Sequence, residues 1–186
     1  MTKIAVIPVR SGSKRLPKKN YKSFNSRNIA QIARDKCLAA GIFDKVIISS
    51  DDPFFAELVN CNEVEFLLRN ENLAGDDATT DKVVDFFFEE LPSCESILWV
   101  NSVSPLQTIQ DIKNCGLRLN DHDVDCVMAI NTLYQHCCIG NEPLNFNPNN
   151  PFEKTQDLVP IQRYIYSCMG WKKDTYVKHR KRGFKE

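Results

Sequence analysis

The sequence predicts a three-layer α/β fold with a mostly parallel sheet. Two observations carry that expectation. Short apolar runs rich in β-branched residues alternate along the chain with longer segments whose apolar residues recur at helical spacing. Turn and capping residues punctuate the joins between them. Repeated strand–helix alternation implies a parallel sheet covered on both faces, and ligands then bind beyond the carboxyl ends of the strands.

The elements follow in order. Ile4 to Pro8 suits a first, buried parallel strand. A loop rich in Ser, Gly, Lys and Pro runs on to Asn20. Ser26 is placed to cap a helix whose apolar face is Ile29, Ile32, Ala33, Cys37 and Ala40, and Gly41 fits its stop position. Lys45 to Ser50 reads as the second strand. Asp52-Pro53 starts another helix, with Asp52 as cap and Pro53 in the first turn. Val64 to Leu68 is the third strand. A helix from about Thr80 to Leu91 buries Val83, Val84, Phe87, Phe88 and Leu91. Ser96 to Val100 is the fourth strand. Thr108 to Asp111 has the form of a capping box and opens a helix with Ile109, Ile112, Cys115 and Leu119 inward. Val124 to Ile130 is the fifth strand. The stretch from Leu133 to Leu158, rich in Asn and Pro, reads as an excursion or an arm.

With 186 residues, 42% apolar and 26% charged, the chain is expected to form one domain over 1–186, with an arm at about 133–165. Lys plus Arg balances Asp plus Glu, so bulk charge gives no argument for nucleic acid or membrane as a partner. The basic run Lys178 to Arg182 lacks interleaved aromatics and reads as a solvated terminal segment. No secretory signal or membrane-length apolar segment is visible, which points to a cytoplasmic protein. The eight cysteines form no C-x-x-C pair and are expected as buried free thiols. His136-Cys137-Cys138 and the run Asp121 to Asp125 have metal-binding residue types. Their spacing favours ordinary packing and a solvated turn.

The chemical signal lies in the loop Ile7-Pro8-Val9-Arg10-Ser11-Gly12-Ser13-Lys14-Arg15-Leu16-Pro17-Lys18-Lys19-Asn20. Gly12 allows close backbone approach to a ligand, and successive N–H groups there can form an anion nest. Arg10 offers a bidentate fork, and Lys14 and Lys19 act as point charges. The spacing is neither that of the Walker loop nor that of the dinucleotide fingerprint. On charge alone a solvated basic loop explains the stretch as readily as a phosphate cradle.

The wording of that loop resembles the I-P-A-R-x-G-S-K-x-x-P-x-K-N signature of the CMP-sialic acid synthetase family, with Val9 in place of Ala. The likeness continues in order. Phe43 to Asp52 is similar to the family's second strand with its S-T-D ending. Leu68-Arg69 with Asn72 to Thr80 resembles R-P-x-E-L-A-x-D-x-A-[ST]-[ST]. Asn101 to Thr108 resembles Q-P-T-S-P-L-R-T, and Thr155 to Pro160 the Q-x-x-P region.

The resemblance implies a Rossmann-like nucleotidyltransferase fold with a dimerisation arm, and a homodimer. It implies transfer of CMP from CTP, with magnesium, to an acidic 2-keto sugar such as sialic acid, with release of pyrophosphate. By the same resemblance Arg10, Lys19 and Asn20 form the catalytic set. Arg10, Gly12, Ser13, Lys14 and Asn20 hold the triphosphate, and Arg69, Ala78 and Thr80 surround the cytosine. Asn101, Ser104 and Gln156 face the sugar. The chain departs from the pattern at Asn101 for Gln, Ser102 for Pro and Gln107 for Arg, and around Gln162 to Gly170, which lacks an N-G-[AS] turn. The family's later Asp-x-Asp pair has no counterpart before Glu186. The carboxyl end is therefore expected to be short or incomplete. Asp51, Asp76 and Asp77 are the carboxylates nearest the loop, with loop hydrogen bonding the ordinary reading of Asp76. A shorter sugar acid such as KDO, or a nucleotide-binding relative without activity, are the alternatives the sequence leaves open.

Overall fold

The computed structural model of the protein describes residues 2–14 and 16–179. Arg15 and the basic residues Arg180 to Arg182 lie outside the described residues.

Strand β1 (Lys3–Pro8) is followed by a small hairpin, β2 (Ser23–Phe24) and β3 (Arg27–Asn28), and by helix α1 (Ile29–Ala40). Strands β4 (Lys45–Ser50) and β5 (Val64–Leu68) follow, then helix α2 (Thr80–Glu90) and β6 (Ser96–Val100). Helix α3 (Ile109–Arg118) leads to β7 (Cys126–Leu133), the hairpin β8 (Cys138–Ile139) and β9 (Glu142–Pro143), β10 (Ile161–Lys172) and α4 (Lys173–His179). The main sheet has the order β5-β4-β1-β6-β10-β7. The β1–β4, β1–β6 and β4–β5 pairs are parallel, whereas β10 runs antiparallel to β6. The mostly parallel α/β sheet expected from the sequence is present.

Period-two alternation assigns β1 to two cores. Ile4 and Val6 join Ile47, Ile97, Val83, Val84, Phe87 and Phe88 under α2. Tyr176 of α4 packs against Phe88 at 5.4 Å and donates its hydroxyl to the Asp81 carbonyl at 3.0 Å. On the other face α1 buries Ile29, Ala30, Ile32, Ala33, Cys37 and Ala40, and α1 packs on α3. Gly41 takes the left-handed stop position at φ 64°.

Several local expectations are corrected. Ser26 does not cap α1: it sits at φ 66° in the β2–β3 turn, and Asn28 makes the capping box with Gln31. The hairpin thus takes over residues that helical spacing alone had assigned to a helix entry. Asp52 does cap, accepting from the Phe54 N–H, but the segment it starts, Pro53–Leu58, is a 3₁₀ helix. Thr108 and Asp111 form the capping box of α3, yet Ile109 in its first turn is exposed. The fifth strand starts later and runs further than expected. Of the eight free cysteines, Cys37, Cys94, Cys126 and Cys168 are buried, Cys138 is exposed and the others are intermediate.

The chain divides into two compact units, residues 1–128 with 167–186, and residues 129–166. In the second unit Asn145 is the organising polar residue. It accepts from the Cys137 N–H at 2.9 Å and donates to the carbonyls of Gln135 (2.9 Å) and Val159 (2.8 Å). His136 packs between Phe152 (4.5 Å) and Phe146 (5.0 Å) as an aromatic ring. Among the described residues no helix is long and apolar enough to cross a membrane.

Gly170 shows how tightly β10 is fitted. A methyl group there would meet Leu119 at 2.7 Å, Leu98 at 2.9 Å and Val127 at 3.0 Å. The buried Leu98 and Leu119 and the half-buried Val127 would have to move together. Gly170→Ala is expected to lower stability by about 1–3 kcal/mol, read as a lower denaturant midpoint with an unchanged m-value.

Candidate active site

The site begins where β1 ends. Val9 is still held to the sheet, its N–H donating to the Ser49 carbonyl at 2.9 Å. Its own carbonyl accepts from Arg69 Nη2 at 3.0 Å, and the Arg69 N–H donates to the Ser50 carbonyl at 2.8 Å. One arginine thus ties the end of β1 to the end of β4 and fixes where the loop departs. The next anchor is Asn20, 4% exposed, whose Nδ2 donates to the Arg10 carbonyl at 2.8 Å. Ser102 Oγ reaches Asn20 Oδ1 at 3.5 Å. Ser11 donates its N–H to Asp51 Oδ1 at 2.9 Å, and its hydroxyl also bonds that carboxylate. Lys18 adopts the left-handed conformation at φ 52°, turning the chain into the short 3₁₀ segment Lys19–Tyr21. Tyr21 packs on Phe55 at 4.8 Å and donates to Asp52 at 2.5 Å. Burial, reinforced by that hydrogen bond, raises the phenol's pKa, and the same bond lowers that of Asp52.

A cavity of about 300 Å³ opens beyond the carboxyl ends of β1 and β6. Its wall includes Arg10, Gly12, Lys19 and Asn20 from the loop, Arg69, Ala78 and Thr80 from the opposite side, and Asn101 from the end of β6. Most residues singled out from the sequence therefore share one cavity. Ser13, Lys14 and Ser104 are not in that wall, and Gln156 lies on a 3₁₀ turn (Thr155–Asp157) of the second unit. Lys14 instead bonds Asp76 at 2.6 Å. Asp76 is thus an ion-pair residue and not the loop-bonding residue expected: Arg10 Nη1 reaches its other oxygen at 3.4 Å. The Lys14 ammonium, helped by Arg10, holds the Asp76 carboxyl below the usual carboxylate range.

Arg69 is the buried cation of the cavity wall. It is 5% exposed, and its Nε has no hydrogen-bond partner among the described residues. Burial lowers its pKa and the nearby Arg10 charge adds to that, while Asp51 opposes it. A desolvated cation at the wall of a cavity favours an electron-rich ligand there.

The segment that the resemblance assigned to the sugar, from Asn101 to Thr108, is held by contacts with β10 and α1. The Asn101 N–H donates to the Ser167 carbonyl at 2.9 Å, so the end of β6 is zipped to β10. Gln107, which stands where the family pattern has Arg, points its amide at Ser167 Oγ (3.2 Å) and Cys168 Sγ (2.8 Å). It braces the loop against β10. Lys36 Nζ caps the carbonyls of Pro105, at 2.7 Å, and Gln107. Sequence reasoning missed Trp99 and Ser102 in the cavity wall, and β10 itself. The period-two rule carries a signal for Trp99, two residues before Asn101 on the same face of a strand end.

No group of three or more His, Cys, Asp or Glu side chains poised on a common cation occurs among the described residues. Of the carboxylates nearest the loop, Asp51 is committed to Ser11 and Asp76 to Lys14 and Arg10. These residues do not fit a self-contained magnesium site, which needs an octahedral set of oxygens.

Comparison with known proteins places these features. The matching family model, described as cytidylyltransferase, covers residues 4–163. An N-acylneuraminate cytidylyltransferase of Streptococcus agalactiae serotype V is 28% identical over 138 residues, which is 73% of this chain and 33% of that protein. A pseudaminic acid cytidylyltransferase of Campylobacter jejuni is 35% identical over 98 residues, 52% of this chain and 42% of that protein. The chain therefore spans less than half the length of these relatives. Among solved structures, a CMP:2-keto-3-deoxy-manno-octonic acid synthetase complexed with CTP superposes with a TM-score of 0.68 at 14% identity, covering 96% of this chain and 77% of that one. That likeness confirms the Rossmann-like nucleotidyltransferase fold. Because the family match takes in the phosphate loop, the buried Arg69 and the helix start at Thr80, the chain belongs to the cytidylyltransferase family.

Proposed function

We propose that the protein transfers CMP from CTP to an acidic 2-keto sugar of the sialic or related nonulosonic type and releases pyrophosphate. The observation that carries this reading is that Arg10 and Lys19 line one cavity with the buried Arg69. A triphosphate supplies the negative charge that such a set requires. In this reading the anomeric hydroxyl oxygen of the sugar attacks the α-phosphorus, the bond to the bridging oxygen breaks, and the electron pair leaves with pyrophosphate. Catalysis is then positioning and charge neutralisation. Arg10 and Lys19 stabilise the departing pyrophosphate, and Asn20 holds Arg10 in place through its carbonyl. Gly12, Ser13 and Lys14 add to the phosphate cradle. Ala78, Thr80 and Arg69 border the cytosine, whose exocyclic amine and ring acceptors suit backbone and hydroxyl partners. Asn101, Ser104 and Gln156 are assigned to the sugar acid. Magnesium would arrive with the triphosphate and would neutralise charge on it, since these residues alone do not form a site for the ion.

Two acidic sugars appear in the names of the relatives compared above, and the Asn101 and Gln107 departures lie in the segment assigned to the sugar. The sugar is therefore best sought among nonulosonic acids first and shorter 2-keto acids second. We also propose that the unit 129–166 serves as the arm of a homodimer. It exposes Tyr134, Ile139, Phe152 and Val159, with Phe152 at 81% and Val159 at 70%. Apolar surface of that kind is more often covered by a partner than left in water.

Three measurements test this reading. Pyrophosphate release with CTP, magnesium and a panel of 2-keto sugar acids is expected with one sugar class, and Arg10→Ala is expected to reduce it by a factor on the order of 10²–10³. Binding of CTP with no release for any sugar would favour a nucleotide-binding relative. Thermal shift is expected to be larger with CTP than with UTP, and Thr80→Ala should shrink that difference; equal shifts would remove cytosine from the proposal. Sedimentation velocity at micromolar concentration is expected to give a dimer, which Phe152→Asp weakens; a monomer throughout would count against the arm.

A further inference from the structure

We infer that Asp76 is a competitor, built into the protein, for the phosphate-binding cations: its carboxylate and the substrate's phosphates draw on the same Lys14 and Arg10, so that Asp76 sets how tightly nucleotide and pyrophosphate are held. This inference rests on the cytidylyltransferase reading above.

The geometry is specific. Asp76 uses both oxygens, Oδ2 for Lys14 Nζ at 2.6 Å and Oδ1 for Arg10 Nη1 at 3.4 Å. The same Arg10 nitrogen reaches the Ala74 carbonyl at 3.4 Å. The carboxylate therefore bridges two chain segments, 10–14 and 74–76, both of which contribute to the cavity wall. Cations placed by the loop for an anion are here neutralised by one that the protein carries itself.

Magnitude decides what this contact is for. The three side chains are 41% (Arg10), 80% (Lys14) and 48% (Asp76) exposed. Ion pairs at that exposure contribute little, about a fivefold factor in an equilibrium at most. Asp76 is thus a poor structural tie. A triphosphate offers more charge and more acceptor oxygens to the same two cations and displaces the carboxylate at small cost. The return of the carboxylate lowers the affinity for whatever phosphate is bound. Pyrophosphate, which has lost the nucleoside contacts, is the species most affected. Asp76 thus acts by contesting Lys14 and Arg10, and it limits how long the product stays.

The test is isothermal titration of CTP, inorganic pyrophosphate and cytidine, each with magnesium present, into the wild-type chain and the isosteric variant Asp76→Asn. The variant is expected to bind CTP and pyrophosphate about two- to fivefold more tightly and cytidine unchanged. Pyrophosphate should become a correspondingly stronger product inhibitor. In the pair Lys14→Ala and Lys14→Ala/Asp76→Asn the gain should shrink, because one of the two contested cations is gone. Wild-type binding of CTP with no gain in the variant sinks the inference and leaves the cytidylyltransferase reading standing. Weaker CTP binding in the variant together with a lost magnesium dependence also overturns it, making Asp76 a ligand of the substrate's cation. Wild-type protein that binds neither CTP nor pyrophosphate sinks that reading, and this inference with it.

Discussion

A guanidinium buried where two parallel strands end is the constraint around which this molecule is arranged. Arg69 holds the Val9 carbonyl and is itself held by Ser50, so the last residues of β1 and β4 cannot separate without stranding a charge. Removing one partner from a buried charged group is among the more damaging changes a fold can suffer. The basic loop therefore leaves the sheet at a fixed place and in a fixed direction. Asn20 closes it from the other side by binding the Arg10 carbonyl. The loop is long and basic, yet its two ends are pinned by hydrogen bonds from side chains that are themselves buried.

Division of labour follows from burial. Arg69 and Asn20 are inside and act through geometry; Arg10 is half-exposed and Lys14 largely exposed, and they act through charge that other charges can contest. The β6 end is organised differently again. There the backbone of Asn101 is fastened to β10, and Gln107 is spent on the same strand. The cavity is thus braced across parallel strands on the Arg69 side and across an antiparallel pair at the end of β6.

Much of this was legible in the sequence because it rests on local rules. β-branched runs located β1, β4, β5 and β6, and Gly41 and Thr108 marked helix boundaries through chemistry that operates within four residues. The loop residues were legible for a different reason: their resemblance to one signature is long and ordered. Three things were not readable. Ser26 looked like a cap because a serine before apolar residues usually is one, but the turn of the β2–β3 hairpin needed it at positive φ. β10 was hidden because its second half, Cys168 to Lys172, pairs with β6, far away in sequence, and one residue of the strand, Tyr166, has φ 53°. The partnership of Asp76 with Lys14 and Arg10 joins residues more than sixty positions apart, which no window-based reading connects.

The placement of β10 has an evolutionary consequence. It lies beside β7 in the sheet, and the chain leaves for the second unit along one of these strands and returns along the other. The unit is thus an insertion whose two ends are already neighbours, and closing such an excursion costs only about 0.6 kcal/mol more for each doubling of its length. Such an excursion can be lengthened, shortened or rewritten without touching the ends of β1 and β4, which Arg69 ties together.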